Sequence, residues 1–113
     1  MTGRGETLLF LAQRASAAVL ALCVTVHLAT IILAVRGGLS AAEILGRTRG
    51  SVAWAVFYAL FVLAVAVHAP IGLRTVAREW LGWRGFSLEA ATGALAVVLA
   101  LLGWRAVAGL VLA

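Results

Sequence analysis

The chain has 113 residues, 65% of them hydrophobic, and a formal net charge of +5; its mean hydropathy is +1.13. A water-soluble domain of this length could not bury so much apolar surface, so composition excludes that class and makes lipid the expected solvent. All of the positive charge is arginine, nine residues with no lysine, and it gathers at the ends of apolar segments without forming a basic stripe. That distribution favours headgroup anchoring over nucleic-acid binding.

The first segment begins with MTGRGETLLF, a charged start ahead of an apolar run. It resembles a signal peptide only loosely. Arg14 lies inside the run, and no small-residue cleavage site precedes charged sequence, so the segment reads as a retained helix. The first span is expected over residues 7–35, interrupted early by Gln13, Arg14 and Ser16, and it contains the lone cysteine, Cys23. A single cysteine excludes a disulfide framework.

Residues 36–50, RGGLSAAEILGRTRG, are rich in Gly and Arg and form the first break, with SAAEIL as a short interfacial helix. A second span is expected over 51–79. LGWRGF (81–86) is then a tight connection that holds Trp83 at headgroup level. The third span is expected over 87–112, with Ser87 as its N-cap and Glu89 in its first turn. Each span exceeds the ~20 residues needed to cross a hydrocarbon core, and a chain in lipid must satisfy its backbone internally, so all three are helices. The expected fold is therefore all-α: one membrane domain of three transmembrane helices over residues 1–113, forming part of a larger helical bundle. No internal repeat or low-complexity tract interrupts it.

This topology puts Arg4, Arg14, Arg74, Arg78 and Arg84 on one side, and Arg36, Arg47, Arg49 and Arg105 on the other. The small excess favours a cytoplasmic N-terminus. Trp54, Trp80, Trp83 and Trp104 are expected in aromatic belts, and Arg105 can snorkel outward.

Both histidines, His27 and His68, fall inside spans. An ionisable group within a membrane is costly and marks function by default. Neutral buried imidazole suits metal ligation, above all to haem iron; the competing role is a hydrogen bond to a neighbouring helix. His27 lies ~30 Å into the first helix, close to the far face, whereas His68 lies ~25 Å from that same face. A depth difference of more than ~10 Å prevents the two from sharing one haem. As ligands they would serve two haems, each completed by another chain. Ala64 and Gly72 flank His68 on its own helix face, where small side chains admit a macrocycle or a helix, and Pro70 removes a backbone donor close by.

The pattern H-x3-G-x-R-x4-E formed by His68, Gly72, Arg74 and Glu79 follows Arg14-Ala15-Ser16-Ala17 by one span. In motif order, span number and length it resembles the cytochrome b membrane-anchor subunit of succinate dehydrogenase and fumarate reductase, in which R-x-S-G precedes H-x3-G-x-R-x4-D. The resemblance covers most of the chain. It departs from the family pattern at Ala17 (family Gly), Glu79 (usually Asp) and Gln13 (commonly His).

The resemblance implies that His68 is an axial haem b ligand and that Arg14 and Ser16 lie near a quinone and the haem propionates. It implies that Arg74 is the arginine at the cytoplasmic end of the second helix. His27 resembles the first-helix ligand of two-haem members. One or two haem b groups, shared with a partner chain, would then be cofactors, with quinone as substrate. Flavin and iron–sulfur clusters would reside on a flavoprotein subunit and an iron–sulfur subunit, and a second membrane anchor or another copy of this chain would complete the membrane domain. The expected setting is a bacterial cytoplasmic membrane. Competing readings are a haem-free anchor of the same complex, an accessory membrane protein, or a small multidrug-type transporter. The last would have four spans and an acid deep in its first helix, which this sequence lacks.

Overall fold

A computed structural model describes residues 3–112 as four helices: α1 (Gly3–Arg36), α2 (Ala41–Thr48), α3 (Val52–Leu81) and α4 (Phe86–Val111). α1, α3 and α4 are each long and apolar enough to cross a membrane, and the long axis of the molecule is 49 Å. The described residues contain no strand. The packing is inside-out relative to a soluble protein. Leu22, Leu33, Leu63, Leu101 and Leu102 are all exposed, whereas the buried positions hold mostly small side chains such as Ser16, Cys23, Ala64, Ala66 and Ala77. Lipid tails are as apolar as leucine, so helices in a membrane associate through close approach of small residues.

α3 is the middle helix, with α1 and α4 packed on either side of it. The helices approach closely at Gly103 of α4, where a Cβ would lie 2.5 Å from Val62 Cγ1. Gly103→Ala is therefore expected to force α3 and α4 apart and to cost ~1–3 kcal/mol, the usual scale of overpacking. Thermal unfolding in detergent checks this, and Val62→Ala in the same chain should restore most of the loss. α3 remains helical through the buried Pro70.

The element ends follow local chemistry. α3 stops at Gly82, whose φ of 66° is a left-handed conformation that glycine adopts without a Cβ penalty. Trp83 N–H then caps back onto the Ala77 carbonyl at 3.1 Å. Ser87, expected as the N-cap of the third span, does not cap it. α4 begins one residue earlier, with Gly85 at the N-cap position and no side-chain cap. The Ser87 hydroxyl instead accepts a hydrogen bond from the Trp83 indole N–H at 2.8 Å. A buried or interfacial indole needs an acceptor, and Ser87 is the hydroxyl within reach.

α2 carries a complete capping box: Glu43 N–H donates to Ser40 Oγ, and Ser40 N–H donates to Glu43 Oε1. Thr48 Oγ1 donates to the Leu110 carbonyl at 2.9 Å and Gly50 N–H to the Val111 carbonyl at 2.8 Å. The end of α2 thus satisfies carbonyls that the last turn of α4 would otherwise leave unpaired. Hydrogen bonds from Ser40, with the nearby Arg47 charge, hold the Glu43 carboxyl below its ordinary range. A depressed carboxylate stabilises the fold above its unfolded pKa, and that contribution is lost as pH falls through the lower folded value. Ser40→Ala should raise amide exchange throughout α2, with a cost of ~1 kcal/mol typical of a lost cap. Its effect on exchange should shrink in acid, where Glu43 is protonated in either chain.

Candidate functional site

The two histidines lie on the shared flank of α1 and α3, at separate levels. Ser16 and Cys23 are the buried residues of α1, and His27 follows one turn beyond Cys23 on the same face. His68 Nδ1 stands 3.4 Å from Ser16 Oγ, and His27 Nδ1 stands 3.2 Å from the Tyr58 hydroxyl. Ser16 and His27 are separated by about 16 Å of helix rise, and Tyr58 and His68 by about 15 Å. The levels are therefore distinct, and one iron could not bind both imidazoles.

At the His68 level the Ser16 hydroxyl lies within hydrogen-bonding distance of both the Gln13 carbonyl and a His68 ring nitrogen. Ser16 has one hydroxyl proton, and the Gln13 carbonyl accepts it at 3.1 Å. With that proton on the carbonyl, the Ser16 oxygen can accept from the Nδ1–H tautomer of His68, in which the free lone pair is on Nε2. A metal-ligating histidine commonly has its other ring N–H held by an acceptor in this way. Gly72 lies opposite Gln13: a Cβ there would stand 3.2 Å from Gln13 Nε2. The missing side chain of Gly72 thus makes room for Gln13 of α1. Gln13 Oε1 is buried without a hydrogen-bond partner, an acceptor that a donor-bearing ligand or a water would satisfy.

At the His27 level the surroundings are aromatic. Tyr58 and Phe61 present their rings edge-on to the imidazole, with centroids 5.7 and 5.5 Å away, and Trp54 stacks on Tyr58. Tyr58 can donate or accept, so either tautomer of His27 satisfies the pair. His27, Trp54 and Tyr58 open onto a groove of 680 Å³ between α1 and α4, which Ile44, Arg47 and Thr48 also line. That volume is within the ~300–1,000 Å³ of small-molecule sites.

The structure separates Arg14 from Ser16, which the motif suggested as a pair. Two residues along a helix point to different faces; Ser16 is buried, whereas the Arg14 guanidinium is exposed and lies 5.7 Å from the Phe10 ring centroid. Arg74 is buried and spans two helices. Its Nε donates to Glu89 of α4 at 2.8 Å and its Nη2 to Glu6 of α1 at 3.1 Å. Arg78 Nη1 joins the same Glu6 oxygen at 3.2 Å. This guanidinium is thus engaged by two protein carboxylates and joins α1, α3 and α4 at the face where α1 and α4 begin and α3 ends. Among the described residues, no group of three or more His, Cys, Asp or Glu could hold a metal ion. A metal at either level would therefore depend on imidazole alone from this chain.

Sequence reasoning missed Tyr58 as the partner of His27, and it missed the bridging of Glu6 and Glu89 through Arg74. Glu6 and Glu89 both lie at helix ends on the side that holds Arg74, which was the available signal.

Three lipid-facing helices, carrying single imidazoles at two depths, define an integral membrane subunit. Residues 3–109 match the succinate dehydrogenase/fumarate reductase transmembrane subunit family, and the chain belongs to it. No curated protein and no solved structure matches the chain.

Proposed function

We propose that this chain is the haem b-binding membrane anchor of a succinate:quinone oxidoreductase or quinol:fumarate reductase, carrying electrons between an iron–sulfur subunit and quinone. The observation behind the proposal is the Ser16–His68 pair, an arrangement in which the Ser16 oxygen can accept from Nδ1–H and leave Nε2 of His68 as the free ligand atom. Haem b, when bound, supplies a one-electron store on that route. His68 would hold it through Nε2, and Ser16 would orient the ring. His27, at the second level, opens onto a groove of suitable size for a second group. This chain supplies one imidazole at each level, so a second membrane subunit or another copy would supply the opposite ligand.

Arg14 keeps its donors exposed and can pair with a propionate or with the negative charge that a quinone oxygen gains on reduction. Gln13 Oε1 offers the matching acceptor for a quinol hydroxyl. Succinate chemistry, flavin and clusters belong to the flavoprotein and iron–sulfur subunits. The N-terminal face would be cytoplasmic in a bacterial cytoplasmic membrane and would receive the iron–sulfur subunit.

A haem-free anchor is the second reading, favoured by the partners that both imidazoles already have inside the chain. Isolation of the tagged chain from its own membranes separates the two. The proposal expects flavoprotein and iron–sulfur subunits in the eluate and a b-type band reduced by succinate. The same subunits without a haem band would establish the haem-free anchor.

A further inference from the structure

At the N-terminal face, between the end of α3 and the start of α4, a second hollow of 350 Å³ is lined by Arg74, Arg78, Arg84, Gly85, Leu88 and Glu89. Neither histidine level uses it. We propose that this hollow binds a phosphate group, the headgroup of an anionic phospholipid or a free phosphate.

Three guanidinium groups face the carboxylates of Glu89 and of Glu6, which pairs with Arg74 and Arg78. One positive charge is left over, the complement of a single phosphodiester. Donors are also in excess. Arg78 shows one bond, to Glu6, out of five guanidinium N–H groups. Arg84 forms no ion pair among the described residues. A planar guanidinium matches phosphate oxygens two at a time, so Arg78 and Arg84 could hold one phosphate from two directions.

The backbone adds to this. α4 starts at Gly85 without a side-chain cap, so no side chain occupies the first-turn N–H groups, and the positive end of a 26-residue helix opens beside the arginines. The hollow also lies at the depth where phosphate is found. Its walls are the terminal turns of two membrane-spanning helices, flanked by exposed Trp80 and Phe86. Basic pockets between transmembrane helices at this level recognise anionic headgroups.

The test uses the complete membrane complex carrying wild-type chain, Arg84→Gln, or Arg4→Gln. Arg4 is an exposed arginine on the same face and outside the hollow. Each complex is placed in nanodiscs of phosphatidylglycerol mixed with phosphatidylcholine, re-extracted in mild detergent, and weighed by native mass spectrometry to count retained phosphatidylglycerol. Titration of the delipidated complex with inorganic phosphate, followed by tryptophan fluorescence, forms the second arm. Loss of one charge-assisted contact is worth about tenfold in affinity.

The expected result is retention of phosphatidylglycerol by wild type and Arg4→Gln, weakened about tenfold in Arg84→Gln. If only inorganic phosphate shows the Arg84 dependence, the site stands and its ligand is the free anion. If neither probe distinguishes Arg84→Gln from wild type, the proposal is overturned, and this includes the case where an acidic side chain of a partner subunit fills the hollow. Arg84 lies in the exposed connection between α3 and α4, so the variant keeps the fold, which unchanged helicity by circular dichroism verifies.

Discussion

Arg74→Met should loosen the N-terminal face of the whole bundle. The guanidinium is 7% exposed and joins Glu6 of α1 to Glu89 of α4 across α3. Methionine keeps much of the side-chain volume and removes every donor, leaving Glu89 without this partner and Glu6 with Arg78 alone. The expected loss is about 3 kcal/mol, at the low end for breaking a buried charge network because both carboxylates keep contact with solvent. Arg74→Lys should recover only part of it. A compact ammonium can approach one carboxylate but does not reproduce the planar span between two. Thermal unfolding of the complex measures the stability. Cross-linking between cysteines placed at the first turns of α1 and α4 measures the splaying. An Arg74→Met chain as stable as wild type would show that the helix ends are held by other contacts.

The second large effect is at His68. If His68 ligates haem as proposed, His68→Ala should abolish that haem, and Ser16→Ala should weaken its binding. In the Nδ1–H tautomer, removal of the Ser16 oxygen takes away the acceptor that would hold the proton away from Nε2. Loss of such an outer partner typically lowers metal affinity about 10- to 100-fold. Ser16→Thr keeps the hydroxyl and should restore binding. The readout specific to this role is the tautomer itself. Nitrogen NMR of the haem-free chain with labelled histidine should show His68 protonated at Nδ1 in wild type and Ser16→Thr, and a mixture in Ser16→Ala. A tautomer indifferent to Ser16 would remove the positioning role and leave Ser16 as a packing residue.

Much of the architecture was legible because the strongest signals are the simplest. Apolar length defined three spans, and the Gly- and Arg-rich breaks placed the connections. Ser40 three residues ahead of Glu43 is a recognisable capping box, and SAAEIL did form the start of a helix, which runs on to Thr48. The start of α4 was less legible, since a serine followed by an acidic first turn usually reads as a cap. Here Trp83 claims the Ser87 hydroxyl, a choice that depends on the path of the turn and not on local spacing.

Pairwise side-chain partners were the least visible. Helical periodicity put Ser16, Cys23 and His27 on one face of α1, and depth counting separated the two imidazoles. Neither could show which hydroxyl meets which ring, because that depends on the rotation and offset of α1 against α3. Gly72 was legible as a place of close approach, but the group it admits is Gln13. Gly103 gave no sequence signal beyond being a glycine in a span, yet it sets the contact between α3 and α4. Arg74 carried the family position but not its partners, because Glu6 and Glu89 read singly as helix-end charges.

The central claim is that His68 presents Nε2 to a haem iron. Its most direct test is a reduced-minus-oxidised optical spectrum of the purified native complex, with haem b quantified per flavin, for wild type and His68→Ala. The account predicts a b-type band in wild type and the loss of one haem per flavin in the variant, with any haem at the His27 level retained. A wild-type complex with its flavin present and no b-type band, or a band of equal size in His68→Ala, would contradict it.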